Sequence, residues 1–411
     1  MTDRSAPGVK RAIGGQHASW RTALFVTGIT ALAFNLRAAI TSLPPLFPEL
    51  STRLHLPPAS IAALAAVPVF CFGLFSPVAA PLSRRFGEER VLLASLALLA
   101  LGLVLRGALP AVMIFPGTVI AAGAIAFMNV LLPSLVKRRS PARAGPLIGV
   151  YLLSLSAGAI LGSLIAVPLF HASGGSVPLA LGLWALPAVM AALVWLPQRR
   201  FRTRPAARDG APPRGHRLTD VSRHLLAWQV MGFMGLQSLI YYTTLSWLPV
   251  LLRDRGAGAV TAGSLLALMN FGNAVTALLA PMLAHRVRDQ RPLAAATALA
   301  GAAGLTMVWF APIGTAALGA FGLGAGQGAA LGLAVYFTTA RAPDPVTSAS
   351  LSAFTQGAGY LIAGTGPLVI GFLHTATGGW GVPFTVLLVA LSGQLLAGWH
   401  AGRDTTLPAA V

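Results

Sequence analysis

The sequence contains twelve long apolar runs, which are separated by short polar connectors. Each run is about 18–25 residues long, the length that an α-helix needs to cross the hydrocarbon core of a bilayer. In lipid every backbone amide must find a partner within the protein, and a helix meets that demand within one segment. The sequence therefore predicts an all-α polytopic membrane protein with twelve transmembrane helices. The predicted spans are residues 21–45, 58–82, 91–109, 111–136, 146–170, 177–197, 224–251, 259–284, 292–311, 314–340, 347–373 and 382–401.

The composition supports a lipid bilayer as the surroundings of these runs. The chain is 55% hydrophobic and 9% charged, with a mean hydropathy of +0.74, whereas about 25% of the residues of a soluble domain are charged. A net charge of +19 would suggest nucleic-acid binding in a soluble protein. Here the charges occupy short connectors without an aromatic-rich basic patch, so we expect no nucleic-acid partner. The lone Cys71 lies in an apolar run, and we predict no disulfide, metal site or cofactor.

The distribution of Lys and Arg predicts the orientation in the membrane. Of the 29 basic residues, 24 lie in one alternating set of segments, which includes both termini and the connector 198–223. The opposite connectors hold only Arg53, Arg253 and Arg255. Because segments rich in Lys and Arg stay in the cytoplasm, we expect both termini to be cytoplasmic.

The two halves of the sequence resemble each other at an offset of about 200–205 residues, which indicates a duplicated unit. Ala80-Pro81-Leu82 recurs as Ala280-Pro281-Met282, and Val177-Pro178 recurs as Val382-Pro383. We therefore predict two pseudo-symmetric six-helix bundles that flank a central cavity. The predicted segments are a cytoplasmic N-terminal tail (1–20), the first bundle (21–197), a basic cytoplasmic linker (198–223), the second bundle (224–402) and a cytoplasmic C-terminal tail (403–411).

Arg37 lies within the first span, and no Asp or Glu lies at a comparable depth in any span. Burying a guanidinium near the bilayer midplane costs about 2.5–3.5 kcal/mol, so a partner must offset that cost. Three interpretations remain open: Arg37 binds a substrate anion, is a structural cation, or reaches the outer surface. We favour the anion, since a guanidinium presents parallel donors to a carboxylate-like group. An offset of 204 pairs Arg37 with Tyr241, so we expect it to face Tyr241 and Tyr242.

Several motifs resemble those of a known transporter family. The first span contains Asn-Leu-Arg-Ala-Ala-Ile-Thr-Ser over residues 35–42, and the fourth contains Asn-Val-Leu-Leu-Pro-Ser-Leu over 129–135. Further matches lie within residues 227–238, 247–249, 324–328 and 356–367. Over nearly its whole length the chain resembles the major facilitator superfamily, and within it the bacterial cyanate/2-nitroimidazole permease family. Ala38 stands where that family usually has proline.

The resemblance implies a major facilitator fold in which spans four, seven, eight, ten and eleven line a central cavity. Amides in these spans are candidates for substrate binding, although such residues often only join helices. Tyrosines in spans five and eleven are candidates for substrate contact or for packing. With Arg37 and its motif neighbour Asn35, the predicted substrate-binding residues are Tyr241, Tyr242, Gln237, Gln356, Tyr360, Gln327, Asn129, Tyr151, Asn270 and Asn273. Span three is peripheral in such a fold, which predicts that Arg106 reaches the outer surface.

The connector between spans two and three resembles the gating loop of the superfamily only in part. It reads Ala-Pro-Leu-Ser-Arg-Arg-Phe-Gly-Glu-Glu-Arg over residues 80–90. Arg84 stands where the superfamily has the acid that steadies the gate, so the usual gating salt bridge cannot form unchanged. We expect Glu88 or Glu89 to substitute for it, and the predicted gating residues are Arg84, Arg85, Glu88 and Glu89.

Together these features predict a monomeric transporter of a small organic or cyanate-like anion across the bacterial inner membrane, by rocker-switch alternating access. All ten acidic residues lie in termini, connectors or span edges. A uniporter or exchanger is therefore expected, rather than a proton symporter that depends on a buried carboxylate. The alternative is an exporter of neutral or weakly polar compounds such as nitroimidazoles or drugs. An enzyme is not expected, because the spans contain no cluster of catalytic side chains.

Overall fold

Helices occupy the positions of all twelve predicted spans in the computed structural model, which describes the backbone of residues 7–200 and 218–408. Side chains are described for residues 22–198 and 220–408, and no β-strand occurs among the described residues. The spanning helices are α1 (Pro7–Thr41), α2 (Pro58–Phe86), α3 (Glu88–Ala108), α4 (Pro110–Arg139), α5 (Ala144–Ala172), α6 (Val177–Gly182 continued by Ala185–Trp195), α7 (Leu225–Asp254), α8 (Ala259–Ala284), α9 (Arg291–Phe310), α10 (Ala316–Ala340), α11 (Pro345–Thr377) and α12 (Gly381–Ala401).

The first span differs most from the predicted boundaries. α1 ends at Thr41, because Pro44 and Pro45 lack the N–H groups that would continue the helix. A 3₁₀ turn and a short helix, Phe47–Arg53, follow instead. At its other end α1 begins at Pro7, within the predicted tail. Residues 1–6, 201–217 and 409–411 lie outside the described residues, and so do most of the predicted linker 198–223 and the ends of both predicted tails.

Eleven helices of the described chain are long and apolar enough to cross a membrane. α7 is also long enough, at 30 residues, but it is less apolar. Most of its residues are buried against other helices, among them Gln237, Ser238 and Thr244. A helix that faces protein on most sides does not need an apolar surface toward lipid. α7 is therefore a central helix with little contact with the bilayer.

The two halves of the chain repeat the same set of helix contacts. In the first bundle α1 packs on α5, α3 on α4, and α2 on α4; in the second α7 packs on α11, α9 on α10, and α8 on α10. The bundles meet through two equivalent contacts, α2 with α11 and α5 with α8. This arrangement is two pseudo-symmetric bundles related by an axis along the membrane normal.

The bundles touch from one face of the molecule to the depth of Arg37. We call the face where the described termini lie the terminal face, and the opposite one the distal face. Near the distal face Glu49 forms an ion pair with Arg253, and the rings of Phe47 and Trp247 lie 6.5 Å apart. Among the described residues, each hydrogen bond or ring contact between the bundles lies near the distal face or at the depth of Arg37. The central path, by which we mean the space between the two bundles along their common axis, is therefore closed on the distal side.

Arg106 does not reach the distal surface, and that prediction is wrong. Its side chain is 2% exposed, and its Nη1 donates to the carbonyl oxygen of Ala39, 3.5 Å away, at the end of α1. A Cβ atom at Gly107 would collide with the backbone of Gly182, so α3 and α6 are in backbone contact there. α3 also packs against α4 at Gly117. Arg106 is enclosed by these contacts and donates to the carbonyl of Ala39 in the last turn of α1, which also accepts from Ser42 Oγ.

Close packing of α5 on α1 yields a stability prediction. A Cβ atom at Gly158 of α5 would collide with the carbonyl oxygen of Phe34, whereas a Cβ at Gly149 of the same helix would meet nothing within 4 Å. We expect Gly158→Ala to destabilise the protein by about 1–3 kcal/mol, because the helices must separate. Gly149→Ala is the matched control, since it has the same change in helix propensity without the collision, and it should leave stability unchanged or raise it by up to about 1 kcal/mol. Thermal unfolding of the detergent-purified proteins measures both, and equal melting temperatures would contradict the predicted contact.

Candidate functional site

Arg37 lies one turn before the end of α1, between the two bundles. Its Nη1 donates a hydrogen bond to the hydroxyl of Tyr242, at 3.2 Å. Its guanidinium carbon lies 5.6 Å from the ring centroids of both Tyr241 and Tyr242. The contact that the internal repeat predicts is therefore present. The side chain of Arg37 is only half-buried, and no acidic side chain of the described residues forms an ion pair with it.

The duplicated architecture explains why α1 and α7 bring these residues together. Arg37 and Tyr241 stand at equivalent positions of the two halves, 204 residues apart. Residues related by a twofold axis can touch only if both lie next to that axis. Arg37 and Tyr241 therefore lie on the pseudo-twofold axis, where the central path of a two-bundle protein runs.

Four of the five tyrosines of the chain surround Arg37. In addition to the two on α7, Tyr151 on α5 and Tyr360 on α11 interact electrostatically with its guanidinium. Phe72 of α2 joins them, with its ring 6.2 Å from that of Tyr242 and 5.9 Å from that of Tyr360. We call Tyr151, Tyr241, Tyr242, Tyr360 and Phe72 the aromatic cage. Sequence reasoning missed Phe72, because nothing in the sequence distinguishes it from the other 18 phenylalanines.

A hydrogen-bond chain connects the cage to the contact between the bundles. The hydroxyl of Tyr241 donates to Asn270 Oδ1 on α8, at 2.9 Å. Asn270 Nδ2 in turn donates to Ser163 Oγ on α5, at 3.1 Å. Asn270 is only 2% exposed, and both ends of its amide are engaged. It therefore holds Tyr241 in place and does not face the centre. Ser163 was not predicted either, since one serine in an apolar span carries no signal.

Three predicted binding residues point away from Arg37. Asn35 is 2% exposed and donates to the carbonyls of Ala31 and Pro187, because two residues along a helix correspond to a turn of about 200°. Gln237 is buried and donates to the backbone carbonyl of Gln327, at 3.0 Å. The buried side chain of Gln327 points toward Gly301 of α9. Asn35 and Gln237 therefore join helices, which is the alternative that the sequence left open, whereas the Gln327 amide has no hydrogen-bond partner among the described residues.

The other predicted amides lie apart from Arg37 in this conformation. Gln356 is exposed, one turn nearer the terminal face than Tyr360, and donates to Ser352 Oγ. Asn129 and Asn273 are half-buried, and neither side chain has a hydrogen-bond partner among the described residues. The described residues contain no group of three metal-ligating side chains. The candidate substrate site in this conformation therefore consists of Arg37 and the aromatic cage.

Two of the four predicted gating residues, Glu88 and Glu89, interact within the first bundle. Glu88 forms an ion pair with Arg138 and accepts a hydrogen bond from Ser134, at 3.2 Å. The backbone carbonyl of the neighbouring Glu89, which is also buried, accepts from Trp195 Nε1 at 3.1 Å. The side chains of Arg84 and Arg85 are exposed. A gating role remains a prediction.

Comparisons with known proteins give the family. The model of the Major Facilitator Superfamily matches residues 23–367. The chain is 37% identical to the 2-nitroimidazole transporter of Escherichia coli (strain K12) over 383 residues, which cover 93% of this chain and 96% of the relative. It is 30% identical to the cyanate transport protein CynX of the same organism over 360 residues, which cover 86% of this chain and 90% of the relative.

Solved structures share the fold at low sequence identity. A bacterial homolog of the human lysosomal transporter Spinster, in an inward-facing and unoccupied conformation, aligns with a TM-score of 0.73 at 17% identity and covers 94% of this chain and 99% of that chain. A D-xylose-proton symporter aligns with a TM-score of 0.69 at 15% identity, with the same coverage. The chain belongs to the major facilitator superfamily, within the cyanate/2-nitroimidazole permease family, and is a membrane transporter rather than an enzyme.

Proposed function

We propose that this transporter carries a small, planar anion by alternating access, and that Arg37 binds the anion. One observation carries the proposal: a guanidinium on the axis between the bundles contacts Tyr241 and Tyr242 and, among the described residues, pairs with no acid. Such a cation lacks a counter-ion in the resting protein. An anion that enters and leaves supplies it.

The contacts of Arg37 leave room for an anionic ligand. A guanidinium has five N–H donors, and the Tyr242 hydroxyl accepts from one of them. The cation–π contacts with Tyr241 and Tyr242 contribute about 0.5–2 kcal/mol, which is less than the cost of burying the charge. A carboxylate or cyanate accepts charge-assisted hydrogen bonds from the remaining donors. A bound anion therefore offsets the part of the cost of burying Arg37 that the contacts within the protein do not offset.

The aromatic cage favours a flat ligand. Phe72, Tyr242 and Tyr360 form adjoining ring contacts with centroids 5.9–6.3 Å apart. A conjugated ligand offers its own flat face to such rings, and aromatic pairs contribute about 0.5–1.5 kcal/mol beyond the burial of area. Tyrosine hydroxyls add donors for oxygen atoms at the ligand's edge. Planar carboxylates fit these features better than bulky, tetrahedral anions do.

A second candidate is a neutral nitro compound such as a nitroimidazole. A nitro group has the planar, two-oxygen shape of a carboxylate, and its oxygens accept hydrogen bonds from a guanidinium. The aromatic cage would then supply most of the affinity by stacking. One relative is named a 2-nitroimidazole transporter, which supports this candidate. Export of other weakly polar compounds or drugs would use the same cage.

The proposed transport cycle follows from the closed distal face. We assign the terminal face to the cytoplasm of a bacterial inner membrane, since 24 of the 29 basic residues belong to the set of sequence segments that contains both termini and the connector 198–223. In the present conformation the path from Arg37 would lead to the cytoplasm. Rocking of the bundles, each as one body within a monomer, would open the distal side. Because the described residues place no carboxylate against Arg37, we favour uniport or exchange over proton symport.

Replacing Arg37 tests the anion site directly. We expect Arg37→Ala to lower uptake of radiolabelled cyanate or benzoate into proteoliposomes by at least about tenfold, since each hydrogen bond to a charged group contributes about 1.5–3 kcal/mol. Arg37→Lys should recover only part of the rate, because an ammonium lacks the planar pair of donors. Arg53→Gln, which removes an exposed distal arginine, is the control. Unchanged anion uptake in Arg37→Ala would refute the site. Retained uptake of 2-nitroimidazole alone would favour the second candidate.

Replacing Phe72 tests the preference for flat ligands. We expect Phe72→Leu to weaken the binding of benzoate by about two- to tenfold, because the ring contact is lost while apolar volume is kept. Binding of acetate, which has the same carboxylate but no ring, should change by less than about twofold. Titration calorimetry of the purified protein measures both. Equal losses for the two ligands would mean that Phe72 contributes packing but no selectivity.

Replacing Asn270 tests how Tyr241 is held. We expect Asn270→Leu to weaken benzoate binding about threefold to tenfold, since Tyr241 loses a buried hydrogen bond of about 1 kcal/mol and is free to turn away from Arg37. Ser264→Ala, which alters an exposed hydroxyl of the same helix, is the matched control. Full affinity in Asn270→Leu would show that the ring of Tyr241 needs no such support.

A further inference from the structure

One ion pair joins the two bundles in the described part of the chain, between Glu49 and Arg253. Glu49 lies on the short helix Phe47–Arg53 that follows α1, and Arg253 lies at the distal end of α7. The side chain of Glu49 is 14% exposed and that of Arg253 is 30% exposed. The pair is therefore shielded from water on most sides, which strengthens the attraction between its charges.

The positions of this pair place it on the pseudo-twofold axis. Glu49 and Arg253 are 204 residues apart, which is the offset that relates Arg37 to Tyr241. Equivalent residues can touch only next to the axis, so both contacts lie on the same line along the membrane normal. Glu49 follows Arg37 by twelve residues toward the distal face. The ion pair therefore lies directly between the candidate substrate site and the distal solution.

The charged residues that follow Arg253, Asp254 and Arg255, form their contacts within the second bundle. The carboxylate of Asp254 accepts a hydrogen bond from Trp380 Nε1, at 2.9 Å, within the second bundle. Arg255 donates to the carbonyls of Val308 and Ala311 at the end of α9. Arg253 alone reaches across to the first bundle. The break in α1 is what allows this contact, because the helix that restarts at Phe47 carries Glu49 toward the axis.

We propose that Glu49 and Arg253 form the distal gate of the transport path. Opening of the distal side must move the distal ends of α1 and α7 apart, which separates these two charges. The pair therefore stabilises only the conformation that is closed on the distal side. Neutralising either partner shifts the population toward the distal-open conformation. The gate does not depend on which substrate is carried, so it stands or falls independently of the role of Arg37.

Cysteine accessibility in the substrate-free, full-length protein tests the gate. Cys71, which is buried, is first replaced by alanine. Ser246→Cys then reports on the distal side, because Ser246 is 4% exposed and lies one turn beyond Tyr242 on the same face of α7. Gln356→Cys reports on the terminal side, where that residue is exposed. Labelling rates with a hydrophilic maleimide are measured in detergent for each reporter.

The expected results move the two reporters in opposite directions. Glu49→Gln and Arg253→Gln should each raise the rate at the distal reporter about tenfold and lower the rate at the terminal one. The charge-swapped protein, with Glu49→Arg and Arg253→Glu, should return both rates to within about threefold of the parent. Arg53→Gln, one turn from Glu49 and without an ion pair among the described residues, should match the parent.

Three results would overturn the gate. Parental rates in both single variants would show that the pair does not hold the distal side closed. A rise at both reporters together would show general loosening of the fold. A charge-swapped protein as reactive as the single variants would show that the attraction between the charges is not what matters. Labelling is measured only for variants that are monodisperse on size exclusion. If one single variant fails this criterion, the other still tests the gate, because each removes one charge of the pair.

Discussion

The pseudo-twofold axis is the constraint on which the functional centre of this protein depends. Two bundles with the same helix contacts meet along one line, and residues at equivalent positions can touch only there. Arg37 with Tyr241 and Glu49 with Arg253 both obey this rule, at different depths. Duplication thus creates a line of contacts through the membrane. In each contact the two partners are chemically complementary, cation against ring and cation against carboxylate.

The two arginines within spans show how surroundings decide what a charge does. Arg106 is enclosed between helices that glycines bring into backbone contact, and it donates to the carbonyl of Ala39 at the end of α1. Arg37 faces aromatic rings from both bundles and keeps part of its surface accessible. The first is a structural cation. Arg106 also has donors without a partner among the described residues, at Nε and Nη2, but it is enclosed by helices. The free donors of Arg37 lie next to the central path, which is what a binding site for an anion requires.

Much of the fold could be predicted, because hydropathy and backbone hydrogen bonding act locally. The twelve runs became helices near the predicted boundaries, and the main shift, at the end of α1, has a local cause in Pro44 and Pro45. Within the candidate site, the repeat was enough to bring Arg37 to Tyr241 and Tyr242. Asn35, Gln237 and Gln327 point away from Arg37. Asn35 and Gln237 donate to backbone carbonyls of neighbouring helices, whereas the buried amide of Gln327 has no hydrogen-bond partner among the described residues. Phe72 and Ser163 carried no signal, because their importance comes only from residues far away in sequence.

The sequence by itself determined the number of helices, the duplication of the bundles and the absence of an acid beside Arg37 within its own span. These properties follow from the local cost of exposing backbone and charge to lipid, which every residue meets wherever its neighbours lie. Only the tertiary structure decided which face of each helix turns inward. Helix rotation is determined by packing between segments, through contacts such as Gly158 on Phe34 that no single span contains. For that reason the cage around Arg37, the enclosure of Arg106 and the closure of the distal face required the three-dimensional structure.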